Sequence, residues 1–354
     1  MTKRYQIGLV VPLRGPGGIF GPSCEAVADL AAAHLNDNGG ILGREVAIEV
    51  VDASGRPAEL RGRIAGLLDA GRIDAITGWH ISTVRENLSS VVADRVPYVY
   101  TSLYEGGESR RGIFCSGETP GLQVGPALNW LRRNMGLRRW AIVGSDYIWP
   151  RRTARVVRQY CRAFGLDLVE EIYVRYGTPS FAATLPRLEA GRAEGVLMLM
   201  VGSDAVKFNR AFARRGLHER MVRFAPLMEE NMLLASGVDA TENLFVAAGY
   251  FKSLATADAL DLMSAYVERF GPGAPPLNNA AESCYEGIMA LAALSDRAGS
   301  ADLSDIVRHS AGVGYEGPRG TMTISGGHTH QTVYLAAAGG YEFDVIDALE
   351  PMTS

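Results

Sequence analysis

Hydroxyls and aromatic rings gather where apolar runs of this 354-residue chain stop. Trp79, His80 and Ser82 stand in GWHIS, Tyr100, Ser102 and Tyr104 in YVYTSLY, and Ser145, Tyr147 and Trp149 in GSDYIWP. Gly202 and Ser203 follow in VGSD, Glu229 in MEEN and Tyr250 in AAGYF. A serine or glycine where a strand gives way to a helix leaves peptide N–H groups and a hydroxyl free to hold a carbonyl or carboxylate oxygen. Ser82 can equally serve as a plain helix cap, and any one ring can be ordinary packing. Their recurrence at the ends of apolar runs favours a ligand site walled by aromatics and hydroxyls.

Catalytic readings fare worse. His80 beside Ser82 is the one acid–base pair near those positions, but no third group orients it, so a ligand contact or supporting role is expected. His328 and His330 in GGHTH share one face of a strand, yet no cysteine or carboxylate neighbour completes a metal set. The segment LRGPGGIFG has neither the GxGxxG register nor a Walker lysine. GxSxG and HExxH do not occur. No catalytic residue, metal or cofactor is expected.

Bulk properties narrow the partners. Lys and Arg number 35 against 39 Asp and Glu, for a net charge of −4 with mixed signs along the chain. The one basic cluster, Arg151, Arg152, Arg155 and Arg158, reads as the exposed face of a helix, so no nucleic-acid surface is expected. Cys24, Cys115, Cys161 and Cys284 lie far apart without CxxC spacing and read as reduced thiols, one long-range disulfide being left open. The first apolar run, Ile7 to Val11, is too short for a leader core and reads as a strand. No stretch approaches a membrane span. As written the sequence reads as cytoplasmic, and as periplasmic if a leader precedes Met1.

A frame must bring these strand ends together. Apolar runs alternate with amphipathic stretches from YQIGLVVPL to VPYVYTS, and the rhythm restarts at GLQVGPALNW. Val- and Ile-rich runs with little polar alternation suit parallel sheets covered on both faces. The fold class expected is α/β: two doubly wound parallel-sheet lobes joined by a three-segment hinge. NLFVAAGYF is read as a strand returning towards the first half, and GTMTISGG with HTHQTVYLAAA as a terminal hairpin. Glycine- and proline-rich breaks at 116–121, 249–255 and 314–320 are the expected crossovers. They give an N-terminal lobe of 1–118 plus 252–318 and a C-terminal lobe of 119–251 plus 319–354. Ligands of doubly wound sheets sit at the carboxyl ends of strands. That rule nominates 12–21, 78–83, 100–106, 145–149, 201–204 and 226–231, facing a cleft between lobes.

The opening, with its NGGILGREVAIEVVD segment, resembles the type I periplasmic-binding folds of the branched-chain amino acid class. GWHIS, YEGGES, VGSDYIWPR, LVEEIYV and YEGPRGTMTI resemble its short-amide and urea-binding subgroup, which includes amide sensors that negatively regulate amidase expression. The resemblance covers essentially the whole chain. It implies a non-catalytic receptor that closes on a small amide-like molecule held by Ser82, Tyr100 and Ser102 of one lobe and Tyr147 and Trp149 of the other. Trp149 stands where the subgroup has tyrosine, and Trp79 and His80 where it has a smaller residue and a tyrosine. For an amino acid ligand, Glu229, Glu230 or Asp204 is the expected partner of the ammonium. A sensor implies an RNA-binding antitermination regulator as partner, and a transport receptor implies an ABC permease. The chain itself is expected neither to bind nucleic acid nor to insert in a membrane; homodimerisation is left open.

Overall fold

The computed structural model describes residues 3–352. The chain begins with β1 (Tyr5–Val11), α1 (Gly21–Asp37), β2 (Val46–Asp52), α2 (Pro57–Asp69), β3 (Ala75–Gly78), α3 (Ser82–Val92), β4 (Tyr98–Tyr100) and β5 (Ile113–Cys115). A second run holds α4 (Val124–Met135), β6 (Arg139–Ser145), α5 (Ile148–Phe164), β7 (Asp167–Val174), α6 (Leu185–Ala190) and β8 (Gly195–Leu199). It ends with α7 (Ser203–Arg214), β9 (Val222–Ala225), α8 (Glu230–Ser236) and β10 (Leu244–Ala248). Then come α9 (Ala257–Phe270), α10 (Asn279–Ala298) and α11 (Leu303–His309). The last strands are β11 (Val313–Gly317), β12 (Gly320–Ser325), β13 (His328–His330), β14 (Val333–Gly339) and β15 (Glu342–Leu349).

Two sheets result. One has the order β11-β12-β13-β5-β4-β3-β1-β2 and the other β15-β14-β10-β9-β8-β6-β7. Their centres are parallel, as the runs YQIGLVV and RWAIVGS require: β1 pairs in parallel with β2 and β3, and β6 with β7 and β8. Helices cover both faces. In α5, Trp149, Pro150, Thr153, Ala154, Val157 and Cys161 are buried at helical spacing, while Arg151, Arg152, Arg155 and Arg158 are exposed. The basic cluster is thus the outer face of a helix. α10 is buried along most of its length, since it lies between β3 and β4 on one side and α1 and α11 on the other. The side chain of Asn278 caps it by accepting the Ala281 N–H at 2.9 Å. All four cysteines are free and buried.

Three expectations are corrected. β10, the NLFVAAGYF strand, does not return to the first half; it pairs with β9 and β14 in the second sheet. Residues 314–320 are no crossover but the turn of the β11–β12 hairpin, and a lobe boundary at 318/319 would cut that hairpin. GTMTISGG and HTH do form a hairpin, β12–β13, but it extends the first sheet through β5, and the rest of that stretch, β14, pairs with β15 as the terminal hairpin of the second. The last passage between sheets therefore lies at Gln331–Thr332.

The chain passes between lobes after β5, after β10 and after β13, and one buried arginine ties the three passages together. Arg319 Nε lies 2.6 Å from Glu282 and 3.4 Å from Glu286, and its terminal nitrogen lies 3.7 Å from Glu118. That nitrogen also donates to Gln331 Oε1 at 2.5 Å. Glu118 accepts the Gly249 N–H at 2.7 Å, and Gln331 donates to the Ser116 carbonyl at 2.7 Å. A Cβ on Gly249 would come within 2.7 Å of the Arg319 guanidinium, so the second passage needs glycine to pass so close. Three carboxylates face one guanidinium here. Burial lifts Glu282 well above, and Glu286 above, the usual carboxylate range, against the opposing pull of the Arg319 guanidinium.

Candidate functional site

The first wall is built at the ends of β3 and β4. Ser82 is the first residue of α3, preceded by extended Ile81, and no side chain caps the helix. Its hydroxyl instead donates to Glu105 at 2.7 Å. Glu105 also accepts from Arg85 at 2.8 Å and, from the other lobe, from Arg152 at 3.1 Å. Arg85 is buried beneath the rings of Tyr100 and Tyr104, 5.0 and 5.3 Å from their centroids, with Glu108 3.2 Å from its Nε. Burial opposes its charge, but Tyr100 and Glu105 outweigh it and raise the guanidinium further above its usual value. Ser102 Oγ accepts the His80 N–H and donates to the His80 carbonyl, both at 2.8 Å. Tyr100 donates to that same carbonyl at 2.8 Å.

The His80 ring turns away from this wall into the lobe. Its Nε2 meets the Tyr98 hydroxyl at 2.8 Å, and burial pushes the imidazole down to about 3. It is neutral at physiological pH and supports the wall from behind through its backbone. Proton transfer to a ligand is not its role.

The second wall follows β6. Tyr147 precedes α5 and Trp149 lies in its first turn, 3 % exposed; their centroids are 6.3 Å apart, and Tyr176 stands 5.7 Å from Tyr147. Part of the Tyr147 surface stays open, but its hydroxyl end lies deep between the lobes. Burial, with Tyr176, Tyr100, Glu105 and Asp204 nearby, raises that phenol well above its usual range. Tyr147 thus faces the first wall across the cleft. Behind it, Ser145 Oγ is buried without a partner. Asp204 accepts the Gly177 N–H at 2.7 Å and lies 3.5 Å from Lys207, while burial pushes its carboxyl up.

The other expected residues lie elsewhere. Trp79 is buried against Phe20, centroids 4.4 Å apart, next to the 3-10 turn Pro16–Phe20. Tyr104 turns to His328, with which it hydrogen-bonds, their rings parallel at 6.0 Å. With Cys115, Thr119, Val156 and His330 they line a cavity of ≈ 370 Å³ beside the wall. The two histidines belong to that cavity, and no cluster of three or more metal-ligating side chains occurs among the described residues. Gly202 packs against the backbone of Pro16, and Ser203 begins α7, half-buried.

Glu229, Glu230 and Tyr250 belong to the hinge. Burial pushes Glu229 well above the usual range, against the Asn279 and Ala280 N–H groups at the start of α10. Glu230 accepts the Lys252 N–H at 2.7 Å, and burial lifts it to about 7. The Tyr250 phenol lies near Glu282 and Glu230. An ammonium partner at Glu229 or Glu230 is therefore not what these side chains are turned to provide. Sequence reasoning missed Arg85, Glu105, Arg152 and Tyr176. Arg85 sits one turn along α3 from Ser82, and Glu105 stands in the YEG motif, but nothing in the sequence pairs them.

Comparison with known proteins fits this geometry. The family model for periplasmic binding proteins matches residues 4–341. A Leu/Ile/Val-binding protein homolog of Brucella melitensis is 23 % identical over 326 residues, 90 % of this chain and 86 % of that protein. An ABC transporter solute-binding protein of R. palustris, solved with benzoate, matches with TM-score 0.86 at 17 % identity, covering 99 % of this chain and 98 % of that one. The branched-chain amino acid transporter substrate-binding protein of Streptococcus pneumoniae, solved with isoleucine, matches with TM-score 0.85 at 16 % identity over 98 % and 99 %. At such identities the structural likeness shows the fold: two α/β lobes of the type I arrangement. With the family match spanning nearly all its length, the chain belongs to the periplasmic binding protein family.

Proposed function

We propose that this chain is the solute-binding receptor of an ABC-type uptake system, acting in the periplasm. Its ligand is a small molecule whose head group donates hydrogen bonds: a short amide, urea, or the ammonium end of an amino acid. One observation carries the ligand class. Ser82, Tyr100 and Ser102 each already donate their proton to a protein acceptor, Glu105 or the His80 carbonyl. A hydroxyl whose proton is so held can still accept, so the wall offers oxygens to a ligand N–H. The ligand carbonyl finds its donors at the first N–H groups of α3, which have no intrahelical partner.

A bare carboxylate brings no donor to those oxygens. The nearby charges also cancel within the protein, Arg85, Arg110 and Arg152 against Glu86, Glu105 and Glu108, and Lys207 against Asp204. A head group without net charge suits such a site. Tyr147, Trp149 and Tyr176 cover the ligand from the second lobe, and contact with both walls stabilises the closed form. The Leu/Ile/Val-binding homolog and the isoleucine-bound relative support the receptor role.

A second reading keeps the site and changes the partner: an amide sensor whose closure releases a regulatory protein. The donor-seeking wall favours it as far as the ligand goes, since an amide brings two N–H donors and no net charge. Co-purification of a permease or of an RNA-binding regulator with the ligand-free protein separates the two roles.

A thermal-shift series at neutral pH tests the ligand class, because a ligand that binds only the folded protein at 100 times its Kd adds about 2.7 kcal/mol of stability. Acetamide, propionamide, butyramide, urea, leucine and valine form one set, and propionate and benzoate the other. Stabilisation within the first set and none within the second is expected. The reverse order would overturn the reading.

A further inference from the structure

The lobes meet along both flanks of the cleft, and one meeting requires the absence of a side chain. On one flank Arg152 of α5 reaches Glu86 and Glu105 at 3.3 and 3.1 Å. On the other, the 3-10 turn Pro16–Phe20 of the first lobe seats on two loops of the second and on the start of α8. Asn231 donates to the Ile19 carbonyl at 2.8 Å, and the Tyr176 hydroxyl approaches the Gly17 N–H. Gly177 faces the Pro16 ring. Gly202, with φ +50°, lies directly under the Pro16 carbonyl. A Cβ there would overlap the carbonyl oxygen, lie 2.9 Å from its carbon and come within 3.1 Å of the Ile19 side chain. Backbone presses on backbone, so neither side can yield by rotating a side chain.

We propose that Gly202 is a positioning residue for ligand binding: its bare Cα is the seat on which the Pro16–Phe20 turn latches the lobes shut. The sequence singled out Gly202 as a ligand contact; the structure assigns it to the contact that lets the walls meet. The turn packs through Phe20 and Gly17 on Trp79, beside the first wall, so latching also fixes the depth of the cleft. The proposal rests on the receptor reading for its effect on affinity, but its effect on closure is independent of any ligand. Apparent affinity scales with the fraction of molecules able to reach the closed form, so blocking the seat weakens binding without touching a ligand contact.

The test is pulsed EPR with labels on the exposed positions Ser90→Cys of α3 and Gln159→Cys of α5, in the otherwise full chain. Free and propionamide-treated proteins are compared, and the propionamide Kd is measured by calorimetry. Gly165→Ala is the control for an added Cβ at positive φ, and Gly271→Ala, at φ +73° and ψ −179° and like Gly202 outside the left-handed helical region, is the control for backbone strain; neither has a neighbour within 4 Å of an added Cβ. Gly202→Ala is expected to lose the short interlobe distance that the wild type and both controls populate, and to raise the propionamide Kd at least 10-fold. Asn231→Ala, which removes only the bond to Ile19, should shift both readouts the same way by less, and serves if Gly202→Ala folds poorly. Short distances retained in Gly202→Ala, absent from the free wild type, or lost equally in either control would overturn the latch. Distances that lengthen only in Gly202→Ala while no form binds propionamide would uphold the latch and sink the amide reading.

Discussion

The first wall of the cleft offers hydroxyls already fixed by protein acceptors, with a buried arginine and two glutamates beneath them. The second offers the rings of Tyr147, Trp149 and Tyr176, with Ser145 Oγ unpartnered and Asp204 half-satisfied behind them. The contrast divides the labour of recognition. A bonded network fixes direction, so the first wall dictates which end of a ligand donates and which accepts. Aromatic faces fix little beyond shape, so the second wall selects the size of what remains. Stability should divide likewise, with the first wall brittle towards polar changes and the second tolerant of them.

The largest expected effect breaks the first wall. Glu105→Ala strips a partner from fully buried Arg85 and the acceptor from Ser82. Removing one side of a buried ion pair costs about 3–5 kcal/mol, which equilibrium denaturation would measure. Ser145→Ala in the second wall removes a hydroxyl that bonds nothing and should stay within about 1 kcal/mol of wild type. Equal costs would erase the contrast.

Opposite pH responses sharpen it. His80, behind the first wall, has its pKa pushed from 6.5 to about 3, so the unfolded chain takes up the proton first as pH falls. The stability due to neutral His80 is complete above pH 6.5 and declines by roughly 1.4 kcal/mol per pH unit as pH falls towards 3. Asp204, behind the second wall, is pushed up by burial from 3.8, so the stability due to its neutral form is complete below 3.8 and is lost as pH rises through the raised value. Melting temperature against pH should therefore lose part of its acid-side decline in His80→Gln and gain on the alkaline side in Asp204→Asn. Parallel shifts in both variants would contradict the assignment.

Much of this was legible in the sequence. Unbroken runs such as YQIGLVV and WAIVG suit strands buried on both faces, and the convergence of strand ends in parallel α/β sheets nominated 78–83, 100–106 and 145–149, within which the family resemblance singled out Ser82, Tyr100, Ser102, Tyr147 and Trp149. The misses have two causes, elements too short for a period and contacts made only by tertiary packing. β5 and β9 are three and four residues long, too short for any period to show. β10 reads as strand, but nothing local says which sheet it joins. Glu229 and Tyr250 follow strand ends as the ligand rule demands, yet packing turns them into the hinge, where Arg319 gathers carboxylates from positions 118, 282 and 286. Arg85 and Glu105 meet only because α3 crosses the end of β4.

The last variant probes the second wall itself. Trp149→Tyr keeps an aromatic face but shrinks a side chain that is 3 % exposed and adds a hydroxyl, so it should cost about 1–3 kcal/mol in stability. It should reorder the affinities of acetamide, propionamide and butyramide in calorimetry by changing the room left for the ligand body. An unchanged order would mean that Trp149 packs the lobe without meeting the ligand.

The most direct test of the account is a calorimetric titration of the wild-type protein with propionamide and then with propionate at pH 7. The two have nearly the same shape; one presents an NH₂ to the oxygens of Ser82, Tyr100 and Ser102, and the other only a charged oxygen. Propionamide is expected to bind at least 10-fold more tightly. Equal binding, or tighter binding of propionate, would mean that the first wall does not read hydrogen-bond donors and would contradict its central claim.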